Sequence, residues 1–559
     1  MQPNNAPLHN NLGGVLEKLG EYQKAKSCYE KAIQIQPSYV VALNNLGNLL
    51  GKLEEYKKAI SFYDEAIKIN PNYFLAHNNK GVILQKLRKF NESLKSYNSA
   101  FKINPNYNFL LGKVVYLKSC LCDWKYFDEN LNSLKDKLNN NETSSSPFSV
   151  TTLYDLPELQ KKTSEIWVKN TYSDKNKLGP ISKYQTNKKI RIGYFSADFH
   201  DHATSHLIAH MLELHDKSKF ELFGFSFGPD KNDEMRKRIS SSFDHFVDVR
   251  LKSDVDIVKL SRNFKIDIAI DLKGITTDER FGIFLNRSAP IQVSYLGYPG
   301  TSGANFIDYI IADKILIPKE NQKFFSEKII YLPDSYQPND FTKKISKRVF
   351  TREELGLPKN GFVFCCFNQN YKITPNIFDI WMKVLKKIEG SVLWLIKDSN
   401  EGVKNLKKEA EKRGVNPDKI IFAENMPISE HLARHKMADL FIDTFPCNAH
   451  TTCSDALWSG LPVITLMGQS FASRVSGSLL NAVDLNELIT TTEKDYEDLI
   501  IRLTKDSKQL KIIKNKLEKN RISQPLFDTK LYTKKIESGY KEIYERYHSD
   551  LPLENIEIK

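Results

Sequence analysis

Residues 439–468, DLFIDTFPCNAHTTCSDALWSGLPVITLMG, decide how the fold is read. The run DLFIDTF (439–445) is followed by a polar turn and by a stretch that opens a helix at His450-Thr451-Thr452. A second apolar run, PVITLMG (462–468), closes the segment. Runs that are apolar throughout, joined by a helix, are the pattern of parallel strands buried on both faces. Upstream lie GFVFCCFNQ (361–369), SVLWLIK (391–397) and KIIFAEN (419–425), which belong to the same series. Before the Lys-rich stretch FTKKISKRVFTREELGLP (341–358) comes another series. It comprises IRIGYFSAD (190–198), FELFGFSF (220–227), IDIAIDLKG (266–274), PIQVSYLG (290–297) and DYIIAD (308–313). Two doubly wound α/β units in tandem are therefore expected, with a cleft between the carboxyl ends of their strands. Neither unit opens with a G-x-G-x-x-G or a Walker A lysine motif, which argues against dinucleotide redox and P-loop hydrolysis.

The N-terminus has a different period. Leu12-Gly13, Leu46-Gly47 and Lys80-Gly81 are followed in turn by Ala25, Ala59 and Ser93, by Tyr29, Tyr63 and Tyr97, and by Pro37, Pro71 and Pro105. Every member is displaced by 34 residues from its predecessor, the tetratricopeptide period. Gly and Ala are read as the close crossing of two antiparallel helices, Tyr as the residue filling the gap and Pro as the stop. Asn11, Asn45 and Asn79 recur at the same period. Such a column either lines a face whose amides could hold an extended peptide backbone or is simply polar helix surface.

The chain of 559 residues carries 81 Lys+Arg against 68 Asp+Glu, a formal +13, with 27% charged residues. With Lys spread over helix faces throughout, the excess reads as solvated surface, and no nucleic-acid partner is expected. No run of about 18 apolar residues occurs, so no membrane span is expected, and MQPNNAPLHN does not read as a secretory signal. Seven cysteines without C-x2-C spacing point to reduced thiols and a cytoplasmic location. The divisions expected are repeats at 1–105, a helical transition or degenerate repeat at 106–187, lobes at 188–345 and 346–525, and a helical tail at 526–559.

Three clusters stand where the cleft should lie. Asp198-Phe199-His200-Asp201-His202 follows the first strand, and His202, at a strand-to-helix junction, is placed for acid–base work. His206 and His210, one turn apart, read as metal ligands or, more commonly, as ordinary core or surface histidines. Gln369 and Lys372 follow the first strand of the second unit, where Lys can neutralise a diphosphate. His450, Thr451, Thr452 and Asp455 open a helix whose free N–H groups suit a pyrophosphate, with Asp455 in reach of a ribose. His431 and Arg434 add a ring and a guanidinium just upstream. Asp254-Val255-Asp256 resembles a D-x-D metal motif but falls in a helical stretch and is discounted.

The order of motifs resembles glycosyltransferase family 41, the O-linked N-acetylglucosamine transferases and SPINDLY-like proteins. The likeness is carried by RIGYFSADFHDHATSHL (191–207), APIQVSYLGYPGTSGANFIDYII (289–311), FCCFNQNYKI (364–373), VLWLIK (392–397), ISEHLAR (428–434), DTFPCNAHTTCSDALWSGLPVIT (443–465) and FASRVSGSLL (471–480). The resemblance implies a helical repeat domain before a GT-B region of two Rossmann-like lobes. It implies an inverting, metal-independent enzyme that moves GlcNAc from UDP-GlcNAc to Ser or Thr of a protein, needing no cofactor. His202 and Lys372 are the expected catalytic pair. Gln369, Lys372, His431, Arg434, His450, Thr451, Thr452 and Asp455 are expected at the donor nucleotide. The sugar and acceptor side is expected at His245, Tyr298, Pro299, Gly300 and Thr301. Protein or peptide acceptors are the expected partners, with the repeat groove as one route, and self-association of the chain is kept open. Ile428 stands where animal members carry a Lys beside the uridine, so GDP-fucose and UDP-glucose remain alternative donors. A non-catalytic repeat scaffold is the reading from another class.

Overall fold

In the computed structural model, which describes residues 4–172 and 178–559, the three repeats form helical hairpins. They are α1 (Ala6–Lys18) with α2 (Tyr22–Ile35), α3 (Val40–Lys52) with α4 (Tyr56–Ile69), and α5 (Phe74–Lys86) with α6 (Phe90–Ile103). Each second helix ends two residues before its proline. The glycine column is required by packing: a Cβ at Gly47 would lie 2.6 Å from the Tyr63 ring, and one at Gly13 or Gly81 2.7 Å from Tyr29 or Tyr97. Ser93 takes the place of the alanines by donating its buried hydroxyl to the Gly81 carbonyl at 2.7 Å. A further pair, α7 (Leu110–Cys120) and α8 (Phe127–Asn139), follows the prolines' period only loosely. This compact helical unit comprises residues up to Leu121, Lys125–Ser146 and Leu251–Ser253.

The second compact unit holds Cys122–Trp124, Pro147–Arg250 and Asp254–Lys559. Its strands are β1 (Ile190–Ser196), β2 (Phe220–Ser226), β3 (His245–Asp248), β4 (Ile268–Asp271), β5 (Ile291–Ser294), β6 (Tyr309–Asp313), β7 (Lys328–Leu332), β8 (Val363–Cys366), β9 (Val392–Ile396), β10 (Ile420–Ala423), β11 (Leu440–Ile442), β12 (Val463–Leu466), β13 (Ile489–Thr490) and β14 (Ile556–Glu557). They build two sheets, ordered β14-β7-β6-β5-β4-β1-β2-β3 and β10-β9-β8-β11-β12-β13, and every pairing is parallel. All ten apolar runs read from the sequence became strands. Of the other four, β3, β13 and β14 are short edge strands with a weak hydrophobic signal, and β7 is an inner strand with the buried run Ile329–Leu332.

Alternation along β1 explains the two-sided core of the first lobe. Ile192 and Tyr194 pack on one face with Ile536, Tyr540 and Ile543 of the C-terminal helix Thr529–His548, while Phe195 packs on the other with Phe225 and Phe284. The chain's last strand, β14, adds to the same sheet beside β7. The two lobes meet at their carboxyl ends. Asp313, ending β6, accepts from Ser478 at 2.6 Å, and Gln337 donates to Ser454 at 3.2 Å.

Candidate functional site

In the second lobe the loop between β11 and the helix Thr451–Trp458 is organised by Asp443. One of its oxygens accepts from the Thr444 and Ala449 N–H groups, both at 2.7 Å, and from the Asn368 amide at 3.2 Å. The other accepts from Thr465 at 2.8 Å. This buried carboxylate, pushed above the usual range by burial, holds the loop that presents the helix start. The first intrahelical bonds there are those of Cys453 and Ser454 to the His450 carbonyl. That leaves the Thr451 and Thr452 N–H groups, the positive end of the helix, facing outward from the sheet's carboxyl edge.

Lys372 comes to this point from the short helix after β8. Its Nζ donates to the Asn448 carbonyl at 2.6 Å, and the side chain is only 9% exposed. Burial, with Lys372 adding to it, drives His450 well below the ordinary histidine range, so its ring is neutral beside that ammonium. The Thr452 hydroxyl donates to Asn368, and Gln369 is exposed next to it. The Lys372 ammonium, held on Asn448, thus stands at the loop that leads into this helix start, a combination suited to an anion, while the His450 ring is turned to the Ala472 carbonyl at 3.4 Å.

His431 and Arg434 share the helix Ile428–Arg434, but with unequal roles. Arg434 is fully buried, donates to the Glu424 carbonyl at 2.6 Å and to His431 Nδ1 at 2.5 Å, and lies 4.6 Å over the Phe367 ring. Burial lowers it to about 10. It therefore orients His431, whose Nδ1 is an acceptor and whose Nε2 carries the proton, rather than reaching out to a ligand. His435, one turn on, donates to the His431 carbonyl at 2.7 Å, and its buried Nε2 has no partner.

Asp455 is also engaged. Lys343 reaches it at 2.7 Å, and both side chains are under a tenth exposed. The Trp458 indole donates to the Lys343 carbonyl at 3.1 Å, which fixes the connector between the lobes to this helix. Sequence reasoning missed Lys343 because it lies among four other Lys or Arg residues of the stretch 341–358, with nothing to single it out.

In the first lobe His202 is the N-cap of the helix Ala203–Leu214, and its Nδ1 accepts the Thr204 N–H at 3.2 Å. The neutral ring consequently carries its proton on the outward Nε2. Burial lowers His202 to about 4. Beneath it Lys273, just after β4, grips Asp198 at 2.8 and 2.9 Å. Lys273 was legible only as the end of IDIAIDLKG, but a Lys directly after a buried strand stands at the cleft edge.

Other expected residues are placed differently. Tyr298, Pro299, Gly300 and Thr301 form a buried loop after β5. The Tyr298 hydroxyl pairs with Thr151 at 3.0 Å, and Thr301 donates to Glu327 at 2.7 Å, so these side chains shape the wall and present no free polar group. Gly274, at φ +57, permits that packing, since a Cβ there would lie 2.4 Å from the Tyr298 Cβ. His245 is not brought to the site. It begins edge strand β3 opposite Phe223, halfway along β2 and short of the carboxyl edge, stacks on that ring at 4.5 Å and bonds Glu221 at 3.1 Å. His206 and His210 bind Asp201 and Glu213 separately, at 2.7 and 2.8 Å. Among the described residues no group of three His, Cys, Asp or Glu converges on a metal-sized space. Asp254 starts the helix Asp254–Asn263 and is held by Arg280 at 2.6 Å.

Within the helical unit, the asparagine column is part of a ladder. Asn45 donates to Asn10 and Asn79 to Asn44, each at 3.0 Å, and Asn79 also reaches Asn48 at 2.9 Å. Lys113, 34 residues after Asn79, continues the series by donating to Asn78 at 3.2 Å. A second column, Asn10, Asn44 and Asn78, is buried and accepts these bonds. The sequence shows this column equally well, one residue before the first. Asn45 and Asn79 therefore already join neighbouring repeats, while Asn11 stays exposed.

Two parallel-sheet lobes that meet at their carboxyl ends define a two-lobed fold of the GT-B kind. The chain belongs to glycosyl transferase family 41, which matches residues 121–349 and 339–536, and tetratricopeptide repeats match 5–72 and 74–107. The probable UDP-N-acetylglucosamine–peptide N-acetylglucosaminyltransferase SEC of Arabidopsis thaliana is 38% identical over 376 residues, 66% of this chain and 38% of that protein. The Caenorhabditis elegans UDP-N-acetylglucosamine–peptide N-acetylglucosaminyltransferase is 28% identical over 484 residues, covering 66% and 42%. The chain thus spans about two fifths of the length of these curated relatives. A lysine-to-methionine mutant of Thermobaculum terrenum O-GlcNAc transferase has the same fold, with a TM-score of 0.72 over 97% of this chain and 98% of that one at 24% identity. No helix among the described residues is long and apolar enough to cross a membrane.

Proposed function

We propose that the protein is an inverting, metal-independent glycosyltransferase that moves GlcNAc from UDP-GlcNAc to Ser or Thr hydroxyls of proteins. The observation that carries this reading is Lys372, whose ammonium is held at 2.6 Å on the Asn448 carbonyl, in the loop that opens the helix at Thr451. In the displacement, the acceptor oxygen bonds to the sugar C1 as the C1–phosphate oxygen bond breaks. UDP leaves with the electron pair, and the hydroxyl proton is released. Charge accumulates on the departing diphosphate, where the ammonium and the helix start are already aligned. Family membership and the names of the curated relatives support the donor and acceptor classes.

His202 acts in this scheme as a neutral Nε2–H donor that positions the sugar or the incoming hydroxyl, since its Nδ1 lone pair is committed to Thr204. His431, set by Arg434, offers Nε2–H at the uridine side. Asp455 and Lys343 together form a polar pair suited to a ribose diol. Protein acceptors reach the site by themselves or with the help of the repeats.

Binding tests the donor assignment directly. UDP at saturating concentration should raise Tm by the linkage of a ligand that binds only the folded state, and GDP should not. A shift with GDP and none with UDP would reassign the donor to GDP-fucose.

A further inference from the structure

A buried ion pair sits under His202 and takes no part in the chemistry above. Lys273 Nζ lies 2.8 and 2.9 Å from the two oxygens of Asp198, with the side chains 11% and 8% exposed. Asp198 Oδ2 is in turn 3.7 Å from His202 Nδ1. A carboxylate beside an imidazole ordinarily holds a proton on the nearer nitrogen and stabilises the imidazolium. Here that nitrogen accepts the Thr204 N–H instead, and both carboxylate oxygens are turned to the ammonium.

We propose that Lys273 is a positioning residue for His202: by holding both oxygens of Asp198 it stops that carboxylate from drawing a proton onto Nδ1, and so fixes the ring as a neutral Nε2–H donor. The functional meaning of this device rests on the reading of His202 as part of the transfer site; the device itself does not.

The surroundings leave Lys273 as the deciding cation. His200, its ring centroid 5.8 Å from that of His202, is lowered by burial and then by Lys231, with Asp198 and Asp233 acting against them. His206 is taken by Asp201 at 2.7 Å, and Asp201 N–H by Asp233 at 3.0 Å. Ser205, on the helix that His202 caps, donates to the Asp198 backbone carbonyl rather than to its carboxylate. Lys273 is itself held by β4, because Asp271 accepts its N–H at 2.9 Å. Without the ammonium, a buried carboxylate would face His202 uncompensated. The ring would gain a proton at Nδ1, lose the helix cap and become a double donor.

The test is the ring ¹⁵N titration of His202 in the full-length unliganded protein. In the wild type the midpoint is expected near 4, with Nδ1 unprotonated above it. Lys273→Met should raise the midpoint by at least about one pH unit, Asp198→Asn should lower it, and the double variant should return toward wild type. Lys273→Arg should preserve the wild-type titration. Charge alone moves the midpoint oppositely in the two single variants, so the ring ¹⁵N shifts are also read for the neutral tautomer: Lys273→Met should move the proton from Nε2 toward Nδ1, and an unchanged Nε2–H tautomer there likewise overturns the proposal. An unchanged midpoint in a folded Lys273→Met protein, or a shift of the same sign in both single variants, overturns the proposal. If Lys273→Met does not fold, Asp198→Asn decides alone, and a rise or no change there overturns it. Because no transfer is measured, absence of glycosyltransferase activity in the wild type would refute the proposed function without altering this result.

Discussion

Replacing Lys372 with methionine removes one charge and keeps the volume of the stem. The ammonium donates to the Asn448 carbonyl at 2.6 Å and lies beside the Cys447 thiol, so it retains donor capacity for phosphate oxygens. Losing it leaves the Asn448 carbonyl without that partner, a cost of about 1–3 kcal/mol in stability. The larger effect falls on the reaction. One preorganised donor at a developing charge is worth about 10²–10³ in kcat, or about 3–4 kcal/mol, and a full cation at a diphosphate belongs at the upper end. The assay is transfer from UDP-GlcNAc to a Ser/Thr peptide, read as kcat and KM separately, alongside Tm and UDP affinity. kcat should fall by about 10³ while the acceptor KM changes little and the protein stays folded. Near-wild-type kcat in Lys372→Met would refute the role given to this ammonium and with it the metal-free leaving-group argument.

Other outcomes follow from particular contacts. Lys343→Met should strand the buried Asp455 carboxylate, lowering stability by about 3–5 kcal/mol and weakening UDP binding in calorimetry; unchanged UDP affinity would remove Asp455 and Lys343 from the nucleotide subsite. Asn44→Ala breaks the bond from Asn79 and should cost the helical unit about 1–3 kcal/mol in denaturant unfolding, whereas Asn11→Ala, at an exposed position, should cost little. Gly47→Ala drives a Cβ to 2.6 Å from Tyr63 and should cost about 1–3 kcal/mol by overpacking. His435, lowered from 6.5 to about 4 by burial, binds a proton in the unfolded chain before it does in the fold. Its contribution to stability is therefore complete above about 6.5 and lost as pH falls toward 4. The stability difference between wild type and His435→Gln should shrink by up to about 3 kcal/mol over that range, and a constant difference would contradict it.

What the sequence disclosed depended on whether a signal was periodic or three-dimensional. The glycine, tyrosine and proline columns named the helix crossings because the same collision between Gly Cβ and a Tyr ring recurs in every repeat. The ten buried strands declared themselves because both faces of each are covered. Strands β3, β13 and β14 are short edge strands without such a run, whereas β7 carries the buried run Ile329–Leu332 and was simply not singled out. At the site, Lys372, His450 and the two threonines could be found because a strand end and a helix start are local features. Arg434 was expected at the donor nucleotide, but its side chain turns inward over the Phe367 ring, which position along a helix does not reveal. His245 shows the converse: the resemblance implied a place on the sugar side, and the chain holds it on an edge strand, paired with Glu221 and stacked on Phe223. Lys343 and Asp455 are 112 residues apart, and Lys273 and Asp198 75 apart, so only the folded chain pairs them.

Transfer of a sugar from a UDP donor is read out by a donor panel. UDP-GlcNAc, UDP-glucose, UDP-GalNAc and GDP-fucose would each be incubated with the protein and a Ser/Thr-containing acceptor, without added metal and with chelator present. Intact-mass and fragment spectra of the acceptor should show a HexNAc increment on Ser or Thr with UDP-GlcNAc, surviving chelation and lost in Lys372→Met. A deoxyhexose increment from GDP-fucose alone, or no increment from any donor, would contradict it.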